Sequence, residues 1–136
     1  KEQLKSAVID RYSNLNISFV DNDKYLEEGT AYSLARAAEH MKEGFVYANC
    51  DLVPDPRMFD DLKKEGNIMF VDKRVPFRNT LMKLSPEAVN TLFEIGFAPK
   101  ERAYDWFFKI MGSHNFHTVD ISNYDWREID EPSDLE

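Results

Sequence analysis

The sequence predicts an α/β fold, a three-layer αβα sandwich around a mainly parallel sheet, and three observations carry that expectation. Short apolar runs alternate with amphipathic segments along the chain, the pattern of strands joined by helical crossovers. Several of those runs, "FVYANCDLV" above all, are continuously apolar, as strands of a sheet covered on both faces are. Helix punctuation also recurs, with a polar cap or proline at the start and glycine at the end. At 136 residues and 43% hydrophobic content, one domain with a packed core is expected.

Taken in order, "KEQLKSAVIDRYSNL" opens with Leu4, Ala7, Val8 and Tyr12 on one helical face. "NISFVDN" follows as a strand from about Ile17 to Val20, closed by Asp21, Asn22 and Asp23. Thr30 fits the N-cap of a helix with Ala31, Leu34, Ala35, Ala38 and Met41 at helical spacing, and Gly44 ends it. "FVYANCDLV" is the strongest strand. Asp55 before Pro56 caps a helix through Met58, Phe59 and Leu62, which Gly66 closes. "NIMFV" and "TLMKL" are further strands, and "SPEAVNTLFEIG" combines a Ser85 cap, Pro86, Glu87, apolar Val89, Leu92 and Phe93, and Gly96. A helix from about Lys100 to Met111 turns Tyr104, Phe107, Phe108 and Met111 to a core, and "FHTVDI" is the last strand.

Charge and composition narrow the function. The net charge of −8 opposes binding to nucleic-acid backbones, where counterion release is the driving force. Cys50 is the only cysteine, so no internal disulfide forms; in an apolar strand it reads as a small buried hydrophobe, and a reducing cytoplasm fits. No apolar run reaches the roughly 18 residues of a membrane span. The sequence carries no sign of oligomeric state.

Ligands of parallel α/β sheets bind beyond the carboxyl ends of strands, which draws attention to Asp51 at the end of the strongest one. Paired with Asp130 in "WREID", it would suit magnesium, which takes one or two carboxylates and completes its shell with water and phosphate. The competing reading makes Asp51 a turn cap and Asp130 the cap of a terminal helix. Gly29-Thr30 at a helix start offers N–H groups and a hydroxyl to a phosphate or base edge, or serves as an ordinary cap. His114 and His117 in "HNFH" lack the Cys or carboxylate partners of a zinc set. The run "DDLKKE" reads as a solvated helix face, the Tyr104, Trp106, Phe107 and Phe108 group as core packing, and no serine or cysteine nucleophile motif occurs.

In sequence order, "VDNDKYLEEGTAYSLARAAEHM", "GFVYANCDLVPDPRMFDDL", "TLMKLSPEAVNTLFEIG" and "DWREIDEPSDLE" resemble the nucleotidyltransferases that act on sugar 1-phosphates and phosphocholine. The resemblance implies a Mg2+-dependent transfer of a nucleotide from an NTP (CTP, or UTP/dTTP) to a phosphorylated sugar, polyol or amino alcohol, with pyrophosphate released. It makes Asp51 and Asp130 metal ligands, sets Gly29, Thr30 and Ser33 beside the nucleotide, leaves Tyr32 to packing, and puts Asp105 near the acceptor. The family's N-terminal phosphate loop, an internal segment near 78–80 and a C-terminal helix have no counterpart in residues 1–136, and Lys73 or Lys83 resembles a substitute for a family lysine without a fixed alignment. The expectation is therefore one domain that is part of a larger one. Two other readings stand beside it. One is a non-catalytic nucleotide- or sugar-phosphate-binding domain of the same fold. The other is a glycosyltransferase, disfavoured because Asp51-Leu52-Val53 lacks the Asp-x-Asp of those enzymes.

Overall fold

The computed structural model describes residues 1–75, 81–99 and 105–135. Four strands form the main sheet: β1 (Phe45–Ala48), β3 (Asn67–Val71), β4 (Leu81–Leu84) and β5 (Phe116–Asp120), in the order β1-β4-β3-β5. β4 is antiparallel to both β1 and β3, whereas β3 and β5 run parallel. The fold is thus mixed α/β. β1, β3 and β5 share one direction and β4 is reversed between them, so the sheet is not mainly parallel in its pairings. A second, two-residue ladder joins β2 (Leu52–Val53) to β6 (Arg127–Glu128).

Alternation along the strands divides the core. Met82 and Leu84 of β4 face a cluster with Leu34, Ala35 and Ala38 of α2 (Thr30–Ala38), Ala88, Val89 and Leu92 of α4 (Pro86–Gly96), and Ile110 of α5 (Trp106–Ser113). Leu81 faces the opposite way, toward Ile68, Phe70, Val119, Ile121 and Met58 of α3 (Arg57–Asp61). Side chains of successive strand residues point to opposite faces, so each face has its own apolar layer. α4 begins as its sequence dictates: Ser85 Oγ accepts the Ala88 N–H at 3.4 Å, with Pro86 in the first turn. Gly96 ends it and does a second job. A Cβ there would meet Ala35 Cβ at 2.5 Å and Ala31 O at 2.6 Å, so its bareness lets α2 and α4 close together. Gly44, at φ +97, needs glycine because a left-handed backbone meets Leu84 O 2.6 Å from where a Cβ would lie.

Several local expectations change. The opening helix forms as α1 (Glu2–Arg11) but buries none of its residues. Ile17 to Val20 is not a strand; among the described residues no segment pairs with it to supply the ladder an apolar run needs. β1 is an edge strand in which residues alternate between half-buried and exposed, because only one of its faces is covered. The "FVYANCDLV" run is accordingly split into β1 and β2, and Cys50, between them, is exposed rather than buried. Met41 falls beyond α2, and Ile110 rather than Phe107, Phe108 or Met111 is the buried residue of α5. Tyr104, the start of that helix near Lys100, and the segment near 78–80 lie outside the described residues. Among the described residues no helix is long and apolar enough to cross a membrane.

Candidate active site

The carboxyl ends of β1, β3 and β5 gather at one end of the sheet, since Ala48 pairs with Leu81 and Val71 with Asp120. From Ala48 the chain passes through Asn49, Cys50 and Asp51 into β2, where Leu52 lies opposite Glu128 and Val53 opposite Arg127. One residue further along that register, the Ile129 N–H donates to the Asp51 carbonyl at 2.9 Å. Asp130 therefore follows directly on the residue that pairs with Asp51. The β2/β6 ladder thus sets the backbone of Asp51 beside that of Ile129 and Asp130, 79 positions on in sequence for the second aspartate.

Asp51 Oδ1 is buried and accepts no hydrogen bond, one of three such side-chain atoms among the described residues, with Glu28 Oε2 and Arg36 Nε. A buried polar atom without a partner is costly unless something else satisfies it. Asp130 is exposed. It does not cap the terminal 3-10 turn (Pro132–Leu135); instead Asp134, inside that turn, reaches back, its Oδ2 accepting the N–H groups of Asp130 and Glu131 at 2.9 Å each. Those two bonds hold the Asp134 carboxyl below its usual range and leave the Asp130 carboxylate without a hydrogen-bond partner among the described residues. Beside Asp51, the Tyr47 hydroxyl donates to Asn49 Oδ1. Burial pushes the Tyr47 phenol up, and the charge of Asp51 adds to that.

The other expected site residues are distributed around this end. Tyr47 packs edge-on against Trp106, 5.9 Å between centroids, and Trp106 is the first residue of α5, directly after Asp105 in the N-cap position. Asp105 makes no capping bond. α2 runs back toward the amino end of β1, which sets its first turn toward the carboxyl end. Gly29, not Thr30, is the N-cap, extended and without a side-chain bond, and Thr30 is the first helical residue. Ser33 Oγ accepts from Asn22 Nδ2 at 2.8 Å. No hydrogen bond ties Gly29, Thr30 or Ser33 to either aspartate. Tyr32 packs edge-on with Phe97 at 5.7 Å.

Lys73 and Lys83 are both engaged: Lys73 Nζ pairs with Asp120 at 2.6 Å, and Lys83 Nζ donates to the carbonyls of Leu62 and Lys64 at 2.9 and 2.6 Å. His114 and His117 part company, one bonded to Thr91 Oγ1 at 2.8 Å and the other 3.4 Å from Lys64 Nζ. The pairs Asp60–Lys63 and Asp61–Lys64 lie along "DDLKKE" as a helix face would have them.

No protein-family model matches the chain, and no curated protein does.

Two buried aspartates escaped the sequence reading, Asp72 altogether and Asp55 beyond its role as a cap. Each begins an Asp-x-Arg triplet, Asp55-Pro56-Arg57 and Asp72-Lys73-Arg74, and the repeated triplet was the available signal. Asp55 Oδ1 accepts from the backbone N–H and Nε of Arg57 at 2.9 Å, and its Oδ2 from Nη2 at 2.6 Å. Asp72 takes the Arg74 N–H at 2.8 Å, Nε at 3.0 Å and Nη2 at 2.6 Å, plus Trp126 Nε1–H at 2.9 Å. The neighbouring arginine holds each carboxyl well below the carboxylate range, and Lys73, with Ser122, draws Asp120 down to about 2.

A carboxyl with a depressed folded pKa contributes stability that is full above its unfolded value, about 4, and is lost as pH falls toward the folded value. The melting temperature is therefore expected to fall between pH 5 and pH 2, and to fall less steeply in Asp72→Asn. Parallel thermal melts of the two proteins check this; equal slopes would remove Asp72 from the account.

Proposed function

We propose that the chain is a Mg2+-dependent nucleotidyltransferase that joins the nucleotide of an NTP to a small phosphate monoester. The observation that supports this most is Asp51 Oδ1, buried and unpartnered near the carboxyl end of the sheet, with Asp130 next in sequence to Ile129, whose N–H donates to the Asp51 carbonyl. The donor set suits a hard cation. Both are carboxylates, and magnesium takes one or two of these while keeping waters and substrate phosphates in its remaining positions.

In this reading Asp51 and Asp130 hold the cation. When bound, magnesium supplies neutralisation of charge on the phosphate oxygens. The reaction forms a bond from an acceptor phosphate oxygen to the α-phosphorus, breaks the bond from that phosphorus to the bridging oxygen, and releases pyrophosphate. The side chains need do little covalent work, because alignment and charge compensation carry phosphoryl-type transfers. Gly29 and Thr30 border the nucleobase, Ser33 lies one turn further along α2, and Asp105 orients the acceptor. The doubly-covered Rossmann-like sandwich, more complete than the described sheet, belongs to the same proposal.

The test is pyrophosphate release from CTP, UTP and dTTP, each with phosphocholine, sugar 1-phosphates and polyol phosphates, with and without Mg2+. Release that requires nucleotide, acceptor and metal together is expected. Nucleotide binding without release from any pair would instead make the chain a binding domain.

A further inference from the structure

The β2/β6 ladder that sets Asp51 opposite Ile129, the neighbour of Asp130, has two residue pairs, too short to hold its own register, since even isolated hairpins are marginal in water. Something else must fix β6. Residues 123–126, immediately before it, are gripped one after another. Arg57 Nη2 donates to the Asn123 carbonyl at 3.2 Å, and its guanidinium lies 4.2 Å from the Tyr124 ring centroid. The Asp125 N–H donates to Asp55 Oδ2 at 2.8 Å. Trp126 donates its indole N–H to Asp72 Oδ2 at 2.9 Å.

Both gripping carboxylates are deeply placed, Asp55 4% and Asp72 1% exposed, and both are held in a fork by their own arginine, the geometry that fixes a carboxylate most firmly. Their positions in the chain give the grip its meaning. Asp55 follows β2 by two residues, so it ties the segment before β6 to the strand that Asp51 leads into. Asp72 follows β3 directly, so it ties the same segment to the interior of the main sheet.

We propose that Asp55 and Asp72 are positioning residues for the Asp51/Asp130 pair, acting through residues 123–126 to hold β6 against β2. This rests on the reading of that pair as a cation site. Groups that orient metal ligands typically change metal affinity by 10–100-fold when lost.

Mn2+ is the probe, titrated calorimetrically into the full chain, with amide exchange at Ile129 as a readout independent of the metal. Asp55→Asn, Asp72→Asn and Trp126→Phe are each expected to raise the Mn2+ Kd about tenfold or more. They should also speed exchange at Ile129 while leaving the β3 and β5 amides protected. Asp120→Asn, which removes an exposed carboxylate at the same end of the sheet, should change neither. Wild-type Kd and wild-type Ile129 protection in all three variants, in a protein whose Mn2+ binding is lost in Asp51→Asn, would overturn the positioning role alone. Failure of the wild type to bind Mn2+, or undiminished binding by Asp51→Asn, would overturn the cation site and the proposal with it. Should the aspartate variants not fold, Trp126→Phe decides, because it removes one N–H and keeps an aromatic ring in place.

Discussion

Asp51→Asn is expected to lower pyrophosphate release by about 10²–10³-fold or more, the scale of losing one preorganised electrostatic group, while the melting temperature stays at or above that of the wild type. The two halves of this expectation have one cause. Asp51 Oδ1 is buried without a donor, and leaving such an atom unsatisfied costs about 1–3 kcal/mol. A residue kept for folding would have been given a partner, as Asp55 and Asp72 have. Replacing the carboxylate by a neutral amide of the same shape removes the burial of charge and with it the ability to hold a cation. Tyr47 supplies an internal check. The charge of Asp51 helps raise its phenol, so the variant's phenol should titrate at lower pH than the wild type's in an ultraviolet titration, though burial still holds it up. Undiminished turnover would refute the metal role; a marked drop in melting temperature would make Asp51 a structural residue.

The contrast among the aspartates shows what a sequence can and cannot disclose. α4 was legible because its signals are local: Ser85, Pro86 and Gly96 cap, enter and end it whatever surrounds them. The spacing of Ala31, Leu34, Ala35 and Ala38 likewise identified the buried face of α2, and all four are buried. Direction was not legible. "TLMKL" is equally apolar read either way, so nothing in it marks β4 as the reversed strand. Pairing was not legible either, since Ile17 to Val20 has a strand's composition but, among the described residues, no segment that completes its ladder. Charged residues are rarely buried unless paired; the main partner of Asp72, Arg74, was legible two residues away, whereas the indole N–H of Trp126, 54 residues away, was not. For the candidate site, composition marks the strand end after Ala48, and Asp51 lies three residues past it in the turn that enters β2. That Asp130 is its neighbour depends on Leu52 facing Glu128, a long-range register that no local pattern contains.

The second large effect is expected in the core. Phe70→Ala should destabilise the fold by about 3–5 kcal/mol, whereas Val46→Ala, on the same sheet, should stay within about 0.5 kcal/mol. Phe70 is 1% exposed on β3, an interior strand paired on both sides, and packs in the cluster of Met58, Ile68, Leu81, Val119 and Ile121. Truncating it removes a large apolar surface and leaves a cavity that strands pinned by β4 and β5 cannot collapse to fill. Val46 is 47% exposed on the uncovered face of an edge strand, so its methyl groups are already largely in water and leave no cavity behind. Against a typical total of about 5–15 kcal/mol, the loss at Phe70 would shift the urea midpoint far enough to measure in a single titration. The same cluster includes Ile121 and is flanked by Tyr124 and Trp126, the apolar neighbours of the clamped segment, so Phe70→Ala should also loosen β6 and speed exchange at Ile129. Equal midpoint shifts in the two variants would mean that the α3 side of the sheet is no better covered than β1's open face, and that the grip on residues 123–126 has no packed floor to act against.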